Sequence, residues 1–268
     1  MIPRCSASGF FIDHAQKSPH VQVDIYINSK VSFVEQLSAS GTYKIETING
    51  DVFYANVVIF AAGAHSLMYA KKLGYGKHLS ILPVAGSFYY AEGANLLNGK
   101  VYTMQKPKLP FAAVHGDPEF SDPTTTRFGP TAKVLPMFIR HSYSTVWDFF
   151  KTNVWTWRGF AAKFNVLFDG VLFKYILKNI GYDLPYIGKY FFLLTARKII
   201  PSLRYSDIAY APKYGGIRPQ LLNTQTGTLE MGDARIIGDN AIFEITPSPG
   251  ASVCLQNAYE GAQEVCKF

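Results

Sequence analysis

Apolar and polar positions follow no clear period over the first twenty residues; from Val31 onward they fall into short runs that read as strands. Val31, Phe33 and Val34 share one apolar run, and Tyr43 and Ile45 alternate with polar residues up to Ile48. Asn49-Gly50 predicts a type I′ hairpin, with Val52 and Phe53 opening the return strand. The unbroken run from Val57 to Ala62, ended by Gly63, predicts a strand buried on both faces. A short helix capped by Ser66 and running to Lys72 should follow, stopped at Gly74. Further strands are predicted over 84–91, 100–104, 111–115 and 127–134, with Gly, Pro and Asn between them as in an antiparallel sheet. Residues 147–180 read as mostly helical, and 186–200 as a second helix between Pro185 and Pro201. Short strands return at 229–231, 234–237 and 242–246. A last helix starts at Pro249, with Ala251, Cys254, Ala258, Ala262 and Val265 spaced as one apolar stripe.

The chain has 268 residues, 48% of them apolar and 17% charged, which is a folding composition with room for one large domain or two smaller ones. Its three cysteines, Cys5, Cys254 and Cys266, form no CxxC pair, which argues against a disulfide framework or a zinc site and for a reducing compartment. No charged segment followed by an apolar one opens the chain, so no signal peptide is read. The charge of +7 is uneven: residues 143–204 hold nine Lys or Arg against three Asp, together with all three Trp. Basic residues interleaved with Trp and Phe suit either an anionic bilayer interface or an ordinary solvated helical face. No nucleic-acid-binding motif accompanies them.

The start of the last helix is the most legible site. Ser248-Pro249-Gly250-Ala251-Ser252 sets a capping residue before Pro at the first helical position, and Gly250 keeps side chains away from the helix end. Free N–H groups and the positive dipole end would there face an anionic ligand, although the same pattern also serves any well-capped helix.

Longer blocks are more specific. Residues 242–258, around Thr246-Pro247-Ser248-Pro249-Gly250-Ala251, resemble the closing signature of the malate:quinone oxidoreductases. So do Leu82-Pro83-Val84-Ala85-Gly86-Ser87-Phe88-Tyr89, Asn98-Gly99-Lys100-Val101-Tyr102, the block at 109–118, Thr126-Arg127-Phe128-Gly129-Pro130-Thr131-Ala132 and Gly215-Gly216-Ile217-Arg218-Pro219-Gln220. These blocks stand in family order from about Val31 to the end.

The resemblance implies an α/β (α+β) fold in which residues 1–80 and 206–268 form an incomplete FAD-binding domain of glutathione-reductase type. Residues 81–205 would form a substrate domain whose antiparallel sheet covers the flavin. It implies FAD-dependent oxidation of (S)-malate to oxaloacetate with electron transfer to a quinone. Arginine suits malate's carboxylates because its planar fork binds them bidentately, so Arg218 and Arg127 are the candidates. Histidine suits the hydroxyl proton, and His115, at a strand end in a matching block, is the expected base. Tyr89 and Gln105 are candidate pocket walls. Ala62, Gly63, Ser248, Gly250, Ala251 and Ser252 would hold FAD, with His65 structural or near the cofactor. No metal is implied. The GxGxxG unit with which FAD binding begins in this superfamily is absent, so the chain reads as a C-terminal portion, and a chain supplying the missing segment is a further expected partner. Malate, a quinone and peripheral contact with the inner face of the membrane, from the cytoplasm, complete the expectations. The rivals are another FAD-dependent 2-hydroxy-acid dehydrogenase and a non-catalytic fragment.

Overall fold

The computed structural model describes residues 7–37, 41–104, 113–153, 156–182, 184, 187–212, 214–230, 234–246 and 250–268, in two units, Met1–Asn56 and Val57–Phe268. The first unit holds helix α1 (Ala7–Gln16) and an antiparallel meander of β1 (Val31–Gln36), β2 (Tyr43–Thr47) and β3 (Val52–Ala55). The Asn49-Gly50 hairpin is present, with Glu46 opposite Val52, but its turn is not type I′. That turn needs positive φ at both central residues; here Gly50 has φ +88° and Asn49 does not. The Gly50 N–H donates to the Thr47 carbonyl, giving a type I turn closed by a left-handed glycine.

The second unit begins with β4 (Val58–Phe60), α2 (Ala64–Lys72), β5 (Leu79–Ala85), β6 (Phe88–Ala91), β7 (Val101–Tyr102), β8 (His115–Pro118), β9 (Thr126–Gly129) and β10 (Lys133–Val134). Helices α3 (Thr145–Thr152), α4 (Trp157–Leu167), α5 (Gly170–Gly181) and α6 (Gly188–Ala196) follow. It ends with β11 (Ala209–Ala211), β12 (Ile217–Asn223), β13 (Thr228–Glu230), β14 (Ala234–Gly238), β15 (Ala241–Thr246) and α7 (Gly250–Val265). The strands make three sheets, ordered β10-β5-β12-β13, β11-β6-β9-β8-β7 and β14-β15-β4. The fold is thus mixed α and β, with several antiparallel sheets, as expected.

Several boundaries move for physical reasons. The 84–91 strand divides at Gly86-Ser87 because the chain changes sheets there: β5 pairs with β10 and β12, β6 with β9 and β11. Backbones cross closely at this switch. The Gly86 N–H donates to the Gly216 carbonyl, and Gly215, at φ +126°, has no room for a Cβ against the Gly86 carbonyl oxygen. The 127–134 strand breaks at Pro130, which has no N–H for a ladder. His115 stands at the start of β8, not at the end of a strand. Ser66 is not the helix cap. Gly63 is, and the Ser66 hydroxyl instead donates to the Phe60 carbonyl while accepting the Ala62 N–H, tying α2 to the strand it leaves.

One burial expectation is corrected. The strand at 58–60 is not covered on both faces. Phe60 stacks on Phe243 at 4.8 Å, but Ile59 is 50% exposed, and β15 is its sole strand partner among the described residues. The small-residue stripe of α7 is also not its packed face. Cys254, Ala258 and Ala262 are exposed, while Val253, Asn257 and Gly261 turn inward. Arg235 of β14 sets that register, with Nη2 donating to the Asn257 carbonyl and Nε to Glu244.

Among the described residues, the two larger core clusters lie on either side of the change of sheet. One packs Tyr89 and Phe128 against Phe192, Leu193 and Ala196 of α6. The other joins Leu67 of α2 to Ile81, Leu221 and Ile245. Buried amides finish the strand edges: the Asn153 side-chain oxygen accepts the Ile81 N–H, and that of Asn179 accepts the Ala132 N–H.

Candidate functional site

Side chains alternate across a strand, and the five-stranded sheet uses this to separate its core from its chemistry. Tyr89 and Phe128, paired in register, face α6 and are buried. The other face carries Phe88, Arg127, His115 and Asp117. His115 lies opposite Gly129 and Asp117 opposite Arg127. Arg127 grips Asp117 through Nε–Oδ1 at 2.9 Å and Nη2–Oδ2 at 2.8 Å, with Glu119 at 3.5 Å and the Phe88 ring 5.1 Å away. The fork expected to hold substrate is therefore already engaged by a carboxylate of its own sheet.

The electrostatics follow from this row. Burial pushes the His115 imidazole down to about 4, helped by the charges of Lys100 and Arg127 and opposed by Asp117. Burial alone would raise Asp117, but the Arg127 fork overrides it and holds the carboxyl below its ordinary range. The hydrogen bonds to Asp117 in turn raise Arg127. At neutral pH His115 is thus an uncharged imidazole, able to accept a proton, beside a charged and balanced pair.

Arg218 lies in a cleft of about 210 Å³ with Phe88, Thr131, Ala132, Gly216 and Ile217. Strand β12 brings it there, with Arg218 opposite Val84 of β5. No ion pair or hydrogen bond engages its guanidinium among the described residues, and burial lowers its pKa, with Tyr175 opposing. A half-buried cation without a carboxylate is destabilising unless an anion completes it. Phe88 connects the two places, since its ring lies 6.3 Å from that of His115 and lines the Arg218 cleft.

A second arrangement involves backbone only. Strands β4 and β15 run parallel, with Phe60 opposite Phe243, and each leads at its C-terminal end into a helix, α2 at Ala64 and α7 at Gly250. Gly63, at φ +57°, makes the first turn, and nothing lies within 4 Å of where its Cβ would be. Two helix N-termini beyond the carboxyl ends of adjacent parallel strands fit the donor set a dinucleotide phosphate or flavin edge requires. Ala62 and Gly63 lie at one start, Gly250, Ala251 and Ser252 at the other.

The remaining expected residues scatter. Tyr89 is buried against Phe192 at 4.2 Å, on the face opposite Phe88, and its hydroxyl donates to the Tyr182 carbonyl. Gln105 and Ser248 lie outside the described residues. His65 pairs with Asp148 at 3.1 Å and joins α2 to α3. Sequence reasoning missed Asp117, Phe88 and Tyr175. Asp117 was legible as the same-face neighbour of His115 two residues on; Tyr175 carried no local signal, because only the packing of α5 on β10 brings it to Arg218.

Comparison with known proteins gives a consistent picture. The chain is 41% identical over 259 residues to a probable malate:quinone oxidoreductase of Campylobacter jejuni, and 41% identical over 266 residues to the malate:quinone oxidoreductase of Helicobacter pylori. Each alignment covers 96% of this chain and 57% of the relative. The human mitochondrial L-2-hydroxyglutarate dehydrogenase is 26% identical over 220 residues, covering 78% of this chain and 44% of that protein. No family model matches the chain.

Proposed function

We propose that this chain, which belongs with the malate:quinone oxidoreductases by 41% identity over 96% of its length, carries the malate-binding part of an enzyme that oxidises (S)-malate to oxaloacetate and reduces a quinone. The observation that carries the reading is Arg218, a half-buried guanidinium without a carboxylate among the described residues, in a cleft sized for a small acid. Arg218 would clamp a malate carboxylate, and neutral His115 would take the C2 hydroxyl proton. Arg127, its fork held by Asp117, would keep the polar row beside His115 in place rather than clamp the substrate itself. FAD, when bound, would accept the hydride from C2 and deliver electrons to the quinone.

The chain spans 57% of the length of the relatives it matches, and we place the dinucleotide-binding segment in the remainder. The uncovered Ile59 and the exposed stripe of α7 support this, because both are apolar surfaces beside the two helix starts that would hold FAD. In this reading residues 1–80 and 206–268 complete the FAD-binding domain, and 81–205 form the substrate domain. The test is turnover. Supplied with a dinucleotide-binding segment, the protein should reduce a quinone analogue with (S)-malate at a kcat/KM about 10-fold or more above that with 2-hydroxyglutarate, the usual scale for one methylene. The reverse preference would transfer the reading to hydroxyglutarate, which the human relative makes the alternative.

The quinone half of the reaction has its own support. Among the described residues no helix is long and apolar enough to cross a membrane. Trp157, Phe160, Phe164, Phe168 and Phe173 form a chain of ring contacts along α4 and into α5, at centroid spacings of 4.2 to 6.4 Å, and Trp157 is 81% exposed. We propose that this edge docks on the inner membrane face, from the cytoplasm, and that the quinone enters the apolar groove of about 410 Å³ between α5 and α6. Leu177, Phe191 and Leu194 line that groove, with Lys178 and Lys198 available to its carbonyls. In sedimentation with anionic vesicles, binding should weaken with salt, since each basic residue near the leaflet is worth about 1 kcal/mol. Trp157→Ala with Phe160→Ala should remove the salt-resistant part. A wild type that stays in the supernatant at low salt would rule out docking.

A further inference from the structure

We infer that Phe88 sets the length of the acid that the Arg218 cleft admits, accepting a four-carbon 2-hydroxy dicarboxylate and rejecting its five-carbon homologue. The inference rests on the reading that Arg218 clamps a substrate carboxylate, and it adds the residue that decides which acid fits.

Strand register places the ring. Tyr89 pairs with Phe128, so Phe88 stands one step along, beside Gly129, and Gly129 lies opposite His115. The row across the sheet is therefore Phe88, Gly129, His115, and its middle position carries no side chain. The two rings meet over that gap, with centroids 6.3 Å apart and planes at 64°. The gap has no room to spare: a Cβ on Gly129 would lie 2.5 Å from Cδ1 of Phe88 and 2.9 Å from the Ser87 carbonyl oxygen. The Arg127 guanidinium, itself gripped by Asp117, lies over the same ring at 5.1 Å. A ring held by a close backbone and a fixed cation does not swing aside for an extra methylene.

The cleft makes that wall decisive. Its volume is about 210 Å³, below the roughly 300–1,000 Å³ of pockets that take drug-sized ligands. Phe88 is the one aromatic side chain among its described lining residues. Val84 and Ala132, also in its wall, are backed by Tyr175 and Ile176 of α5, so that side does not yield either. An acid clamped at Arg218 must pass the Phe88 ring to bring its hydroxyl to His115. The ring thereby fixes the span between the clamped carboxylate and the hydroxyl carbon.

The test is calorimetric titration of the purified chain with (S)-malate and with (S)-2-hydroxyglutarate, which reads binding without flavin or turnover. The wild type should bind malate at least about 10-fold more tightly, the scale of one methylene. Phe88→Leu and Phe88→Ala should move that ratio about 10-fold towards the longer acid and raise the affinity for 2-hydroxyglutarate itself. Damage to the fold does not produce a gain of affinity, and Phe88→Leu decides alone if Phe88→Ala does not fold. Arg218→Ala separates this inference from the reading beneath it. A wild type that takes up no malate at about 10 mM, or malate binding that survives in Arg218→Ala, would sink the clamp and this inference together. Binding that requires Arg218 but shows a wild-type ratio at or below one, or the same ratio in the Phe88 variants, would overturn this inference alone.

Discussion

Replacing His115 by alanine in the completed enzyme is expected to lower kcat about 100-fold or more, the scale of a lost general base. The position of the pH limb is the sharper expectation. Burial, with the charges of Lys100 and Arg127, pushes His115 down to about 4, so the imidazole is already deprotonated at neutral pH. Activity should therefore be flat through pH 6 to 7 and fall only as the pH drops towards about 4, where the base becomes protonated. An ordinary histidine would give that limb near 6.5. Lys100→Ala removes one lowering charge and should move the limb upward. Unchanged kcat in His115→Ala, or a wild-type limb near 6.5, would remove His115 from the role.

Arg218→Ala should lower kcat/KM for malate by about 10- to 100-fold, corresponding to roughly 1.5 to 3 kcal/mol for a charge-assisted bond. Arg218→Lys should mainly raise KM, because an ammonium cannot reproduce the two-pronged grip. Neither change should lower Tm. Arg218 has no ion pair among the described residues, so its removal leaves no carboxylate stranded and relieves a desolvated charge. This separates Arg218 from Arg127, whose loss would strand Asp117. A destabilised Arg218→Ala variant with near-normal kinetics would mark the guanidinium as structural.

Elements defined by local signals were legible in the sequence. The hairpin at Asn49-Gly50, the C-terminal strands and the last helix lie where turn residues and periodicity put them. Signals that depend on distant chain were not. Nothing local marks Gly86-Ser87 as a change of sheet, because the cause is the pairing of β5 with β12, more than a hundred residues later. The apolar stripe of α7 is present as a pattern but is not the packed face, since Arg235 of β14 decides which side turns inward. The same limit applies to the site. The family-like blocks, read with residue chemistry, singled out His115, Arg127 and Arg218 alike. Only cross-strand register shows that Asp117 occupies the Arg127 fork while Arg218 stands apart beside Phe88 and Tyr175.

Anaerobic mixing of the FAD-loaded, completed protein with (S)-malate tests the central claim most directly, since it needs neither membrane nor quinone. The account predicts that malate bleaches the flavin absorption band, and that bleaching slows in His115→Ala and requires far more malate in Arg218→Ala. A band that persists with malate while 2-hydroxyglutarate bleaches it, or that neither acid bleaches, would contradict the account.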